Sequence, residues 1–351
     1  MPYVDWTGEQ VRQMVDTEQV FVAYRLARKD LDERFAGALS WKTVQGHDYL
    51  YRKKSGIWKS IGPRNAETEK TYEQFQAGRS STRERVARLA GRLDALSPVN
   101  RALGIGRVPQ VTARIVRALR DAGLLGGAIE IVGTNALYAY ERMAGVRIAS
   151  ASLATGDIDL LFDARARLKL VGEGVATTGL VGLLRKVDRS FAPTSAGSFR
   201  ATNADGYMVD LIQPTPKHRM TRARRNRIGS SGDDLTAVEI DGLAWLVNVP
   251  RHTTTIIDER GYPLDIVVPD PRAFALHKAW LAGRGDRDPA KRGRDAAQAR
   301  LVADLVATRL PLLRFDDPAL GTLPQELRAL AGDLAAHPAS AEDEGRLTPG
   351  W

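Results

Sequence analysis

Gly156-Asp157-Ile158-Asp159-Leu160-Leu161-Phe162-Asp163 is the stretch whose reading decides the fold. In a strand, side chains alternate, so Asp157 and Asp159 share one face while Ile158 and Leu160 take the other. Two carboxylates on one face of a short apolar strand repel each other, and burying them unpaired is expensive. A divalent cation relieves both penalties, and Mg²⁺ prefers hard oxygen ligands of this kind. Asp163 follows the apolar run and reads as a strand-end residue. A D-x-D triplet alone is weak, because aspartates are common at strand ends. Its weight comes from what surrounds it.

Downstream, Met208-Val209-Asp210-Leu211-Ile212 is a second apolar strand and gives a third carboxylate a sheet position. Residues 198–214 predict a hairpin turning at Asn203 to Gly206. Upstream, IVGTNALYAYE (131–141) predicts a strand that ends in Gly133-Thr134 and passes directly into a helix. Glycine allows a tight turn and close approach of a phosphate, and a helix N-terminus favours negative charge. Thr134 can cap the helix or give its hydroxyl to a phosphate oxygen. The stretch has neither the P-loop pattern nor the triple-glycine dinucleotide spacing.

The flanks differ in character. Residues 9–38 and 66–96 predict helices, the latter ending before Ser97-Pro98, with a β-hairpin over 41–62 between them. That hairpin interleaves Trp41, Tyr49, Tyr51 and Trp58 with Lys42, Arg52, Lys53, Lys54 and Lys59. Such a face can stack on bases while its lysines meet phosphates, or serve as the module's own core and rim. Residues 109–122 predict an amphipathic helix, GLVGLLRKV (179–187) another, and LAWLVNV (243–249) and 253–268 further strands that extend or cover the sheet. Helices follow from Pro271, over 295–310 and over 324–334. The expected organisation is an N-terminal helical and β-hairpin module (1–100), a central α+β unit (101–270), a helical region (271–336) and a flexible tail (337–351).

The 351 residues include 43% apolar side chains, enough for a substantial core. Cysteine is absent, which excludes disulfides, thiolate metal sites and cysteine nucleophiles. The N-terminal MPYVDWTGEQ lacks signal-peptide features and no apolar run is long enough to span a bilayer, so a cytoplasmic protein without a membrane partner is expected. The net charge of +9, from 51 Lys and Arg against 42 Asp and Glu, favours anionic partners such as nucleotides or nucleic acid.

The order of Gly-Thr, helix, D-x-D strand and a lone Asp on a later strand resembles the nucleotidyltransferase fold of the polymerase-β-like superfamily, a mixed β-sheet flanked by helices. Gly133-Thr134 stands where that superfamily usually has Gly-Gly or Gly-Ser. WKTVQGHDYLYRKKSGIWKSIGPRNAETE, LGIGRVP, VGTNALYAYE, ATGDIDLLFDAR, GLLRKVDRSF and NADGYMVDLIQP, spread over residues 38–285, resemble a bacterial family of uncharacterised nucleotidyltransferase-like proteins.

The resemblance implies Mg²⁺-dependent transfer of a nucleoside monophosphate from an NTP to a hydroxyl acceptor, with pyrophosphate released. Two ions, Mg²⁺ or Mn²⁺, would be held by Asp157, Asp159 and Asp210 as catalytic and metal-binding residues. Gly133 and Thr134 would hold the triphosphate, with Lys186 and Lys278 as further nucleotide-binding candidates. In KHRMTRARRNR (217–227), Arg222, Arg224 and Arg225 would meet phosphate or nucleic acid. The acceptor, oligomeric state and choice of NTP stay open. Alternatives are a nucleic-acid-binding protein that only borrows the fold, and a toxin–antitoxin transferase acting on tRNA or a partner protein.

Overall fold

In the computed structural model, the alternation of residues 157–162 forms a strand inside a mixed sheet; residues 2–165, 173–216, 226–337 and 339 are described. The elements begin with β1 (Tyr3–Asp5), α1 (Gly8–Glu33), β2 (Ala38–Val44), β3 (His47–Lys54), β4 (Ile57–Pro63) and α2 (Ala66–Ala102). Next come α3 (Gln110–Asp121), β5 (Ile129–Val132), a 3₁₀ turn (Gly133–Ala136), α4 (Leu137–Ala144), β6 (Val146–Ile148) and α5 (Ser150–Leu153). β7 (Asp157–Phe162), α6 (Glu173–Val187), β8 (Ala192–Pro193), β9 (Arg200–Thr202), β10 (Met208–Pro214) and β11 (Val238–Ile240) follow. The remaining elements are α7 (Leu243–Leu246), β12 (Arg251–Ile257), β13 (Pro263–Pro269), α8 (Pro271–Gly283), α9 (Pro289–Arg309) and α10 (Gln325–Ala336). The fold is α+β, and its contacts divide it into two units: residues 1–11, 106–259 and 264–351, and residues 12–105 with 260–263.

In the first unit the mixed sheet has the order β5-β7-β10-β9-β8, with β11 also paired to β10. β7 and β10 are parallel, while β5–β7 and β9–β10 are antiparallel. The register places Val132 opposite Asp159, Asp159 opposite Asp210, and Asp210 opposite Arg200. On the other face Ile158, Leu160, Val209 and Leu211 are wholly buried, each worth roughly 2 kcal/mol of apolar burial. A one-residue slip of β7 would drive Asp157 and Asp159 into that core, so the apolar face sets the register of the acidic one. Helices α3, α4, α6, α8, α9 and α10 share the core cluster.

One expectation changes here and another narrows. LAWLVNV is no strand: its first four residues form α7, with Leu243 and Leu246 buried one turn apart. A short apolar run carries too little periodicity to tell strand from helix. Its left-handed entrance at Gly242 has no room for a side chain, since a Cβ would lie 2.8 Å from the Trp280 ring. Residues 253–268 do form two strands, and among the described residues β12 and β13 pair with each other, so of the two readings, extending or covering the sheet, extension is excluded.

The second unit carries a three-stranded antiparallel sheet, β2-β3-β4, where a two-armed hairpin was expected. Both turns, Gln45-Gly46 and Ser55-Gly56, place two successive residues at positive φ, the geometry that matches strand twist in two-residue hairpins. The helix expected to stop before Ser97-Pro98 runs on to Ala102 with Pro98 inside it. An interior proline costs about 3 kcal/mol. Tertiary bonds offset it: Asn100, fully buried, donates to the Gly261 carbonyl and accepts from Gln13 and Thr17. Val20, Phe21, Leu89 and Leu93 make the apolar seam between α1 and α2. Among the described residues no helix is long and apolar enough to cross a membrane.

Candidate active site

The register line brings three carboxylates to one face. Asp159 and Asp210 are direct neighbours across the parallel pair, and Asp157 lies two residues before Asp159 on the same side. β5 delivers Gly133 beside them, because Val132 pairs with Asp159 and the chain turns immediately after it. Gly133 has φ 64°, and a Cβ there would lie 2.1 Å from Asp159 Oδ2. Both the turn and the closeness of the carboxylate therefore require glycine.

Each acid has a different environment. Asp159 is pushed up to about 7, first by burial and then by the charges of Asp157 and Asp210. Asp157 accepts a hydrogen bond from the Thr155 hydroxyl, and its backbone carbonyl accepts one from Asn135 Nδ2 at 2.7 Å. Asp210 is buried and receives Arg200 in a two-pronged pair, Nε to Oδ1 and Nη2 to Oδ2, each 2.7 Å.

These residues line a cavity of about 420 Å³, within the usual range for a small-molecule site. α8 and α9 form its cationic side, contributing Lys278, Lys291 and Arg294, with Arg287 from the connection between them. Buried Asp295 accepts from Lys278 Nζ at 2.7 Å and from Arg287 Nε at 2.8 Å, so one carboxylate tethers both cations. Thr134 is buried, and its hydroxyl oxygen accepts from Arg294 Nη2 and Gln298 Nε2, each at 3.2 Å. Its own O–H remains a donor. His277 in the same wall is held neutral, pushed down to about 3 by burial and then by Lys278.

Of the residues singled out from sequence, Gly133, Thr134, Asp157, Asp159, Asp210 and Lys278 meet at this cavity. Lys186 does not: it is exposed on α6 and lines no part of it. Arg222, Arg224 and Arg225 lie outside the described residues. Asp265, on β13, is buried and paired with Arg120 at 3.0 Å and belongs to no part of the carboxylate row. Arg200, Arg287, Asp295 and Gln298 belong to the cavity and were not anticipated. Pairing across the predicted 198–214 hairpin would have put Arg200 opposite Asp210, and Lys291, Arg294, Asp295 and Gln298 form a polar stripe at helical spacing.

A metal was expected at these carboxylates, yet among the described residues no set of three or more Asp, Glu, His or Cys side chains is gathered as a ready metal site. Arg200 takes both oxygens of Asp210 and is the local competitor for them. The donor chemistry nonetheless fits a hard divalent cation: the acidic groups are all carboxylates, and the raised Asp159 marks negative charge that the protein alone leaves incompletely compensated.

A family model described as nucleotidyltransferase matches residues 110–320, which span the sheet, the carboxylate row and both helices of the cationic wall. No curated protein and no solved structure matches the chain.

Proposed function

The chain belongs to the nucleotidyltransferase family, and from that premise we propose that it moves a nucleoside monophosphate from an NTP to a hydroxyl acceptor, dependent on Mg²⁺ or Mn²⁺. The observation that carries this reading is one cavity lined by Asp157, Asp159 and Asp210 from the sheet and by Lys278, Arg287, Lys291 and Arg294 from the helix side. A triphosphate bears charge that the helix side would hold; a hydroxyl acceptor needs its proton drawn off, which suits the sheet side.

Lys278, Arg287, Lys291 and Arg294 bind the phosphates, and Thr134 donates its hydroxyl hydrogen to a phosphate oxygen. Gly133 keeps the backbone low enough for the triphosphate and Asp159 to approach one another. Asp157, Asp159 and Asp210 would hold the divalent ions, and Arg200, which holds both oxygens of Asp210, would compete with them for that carboxylate. When bound, the ions supply Lewis-acid stabilisation of the charge that develops on the transferred and leaving groups. In-line transfer of this kind depends on positioning and charge compensation and uses no covalent nucleophile.

A protein that merely bound nucleic acid in this cleft would gain nothing from three carboxylates facing the phosphates, which disfavours the purely binding alternative. The sequence stretches between residues 38 and 285 support kinship with the bacterial nucleotidyltransferase-like group.

The test is a pyrophosphate-release screen with each NTP, Mg²⁺ or Mn²⁺, and acceptors that include tRNA, protein and small polyols. Release that chelation abolishes supports the reading. Absence of release across all arms, or release indifferent to chelation, counts against it.

A further inference from the structure

We infer that the open face of the β2-β3-β4 sheet binds single-stranded nucleic acid, a role outside the transferase site and independent of it. Residues directly opposite one another in an antiparallel pair share a face. Lys42 lies opposite Tyr49, Ser40 opposite Tyr51, and Lys53 opposite Trp58, so Lys42, Tyr49, Tyr51, Lys53 and Trp58 stand together. Their contacts agree with the register. Lys42 Nζ is 3.4 Å from the Trp58 ring centroid and 5.5 Å from that of Tyr51, and Tyr51 meets Trp58 edge-on at 6.4 Å.

These rings are not the module's core. Leu39, Trp41, Leu50 and Arg52 occupy the opposite face, which packs on α2 through Trp41 against Tyr72 and Arg52 over Phe75. Leu50 is fully buried there, whereas Trp58 is 41% exposed.

Charge selects the occupant. On the open face Lys42 and Lys53 are exposed, and neither makes an ion pair or a hydrogen bond with the described residues. The one acid of the sheet, Asp48, is already held by Thr43 and by Arg64 at 3.2 Å. The unit of residues 12–105 and 260–263 has 19 Lys and Arg against 11 Asp and Glu, a net +8 of the chain's +9. Uncompensated positive charge beside exposed rings fits a ligand that alternates phosphate with flat, unpaired bases. A duplex hides its base faces, and an acidic protein brings charge without bases to stack.

The experiment uses the full chain and labelled single strands of about 12 nucleotides, as RNA and as DNA, with a duplex, heparin and poly-glutamate as comparison arms. Anisotropy is read at several salt concentrations, and thermal melting of each variant reports folding. Both single strands are expected to bind more tightly than the comparison polyanions, and a gap between RNA and DNA identifies the natural class. Trp58→Ala should weaken binding about tenfold, with Trp58→Phe restoring most of it. Lys42→Gln with Lys53→Gln should flatten the salt slope by about 1.4, two phosphate contacts on a single strand. If Trp58→Ala loses its melting transition, Trp58→Phe and the lysine pair decide the matter. The inference is overturned if heparin, poly-glutamate or duplex binds as tightly as single strand, or if folded variants bind like wild type.

Discussion

Replacing Asp159 with Asn should make the metal-free protein more stable while abolishing transfer. In the unfolded chain Asp159 titrates near its ordinary 3.8; in the folded protein burial, then Asp157 and Asp210, push it up to about 7. The folded state thus binds this proton more tightly. Below the unfolded value both states are protonated and Asp159 imposes no penalty; between 3.8 and about 7 stability falls as pH rises, and above that it stays low. The interval corresponds to about 4 kcal/mol at 1.36 kcal/mol per unit. An amide of the same size carries no charge, so D159N should recover up to that amount near pH 8, a gain on the order of 10 °C in Tm. Near pH 4 the gain should almost vanish. Other acids raised by burial, Glu130 and Glu141 among them, are present in both proteins and cancel in the difference. The assay is calorimetric melting of both proteins from pH 4 to pH 8, with and without Mg²⁺, which should stabilise wild type far more than D159N. A variant no more stable than wild type near pH 8, or a gain that ignores pH, would refute the reasoning.

Gly133→Ala should destabilise by about 2 kcal/mol or more, from left-handed strain plus the Cβ placed against Asp159, and should abolish transfer; urea unfolding and the transfer assay read both. Arg200→Ala should tighten Mn²⁺ binding in titration calorimetry by freeing Asp210, yet lower metal-free stability by about 1–2 kcal/mol, since the pair is only partly buried; weaker Mn²⁺ binding would contradict the competitor role. Asp295→Asn should raise KM for the NTP about tenfold by loosening Lys278 and Arg287, with a smaller effect on kcat.

The parts legible in sequence were those that one strand or one turn determines. Alternation alone set Asp157 and Asp159 on one face, and the apolar strand around Asp210 marked a third sheet position. Strand neighbours were a different matter. That β7 and β10 lie side by side in parallel, with Asp159 beside Asp210, depends on a crossover of some 45 residues whose path no local pattern specifies. Arg200 is the contrasting case at shorter range: the hairpin over 198–214 carries the signal, and pairing across its turn puts Arg200 opposite Asp210. Where local signals were weak, packing decided. Leu243 and Leu246 wind into a turn because both find burial that way, and Pro98 stays helical because Asn100 is anchored on both sides. α9 begins six residues before the apolar periodicity over 295–310 predicts, because its first turns carry the polar cavity stripe rather than an apolar face.

The central claim is that the carboxylate row does the chemistry. It is tested most directly by incubating wild type and the Asp157→Ala/Asp159→Ala double variant with each α-labelled NTP and Mg²⁺, and following label into acceptor. The account predicts metal-dependent transfer by wild type that falls to background in the variant while its fold persists. Equal transfer by the two proteins would contradict it.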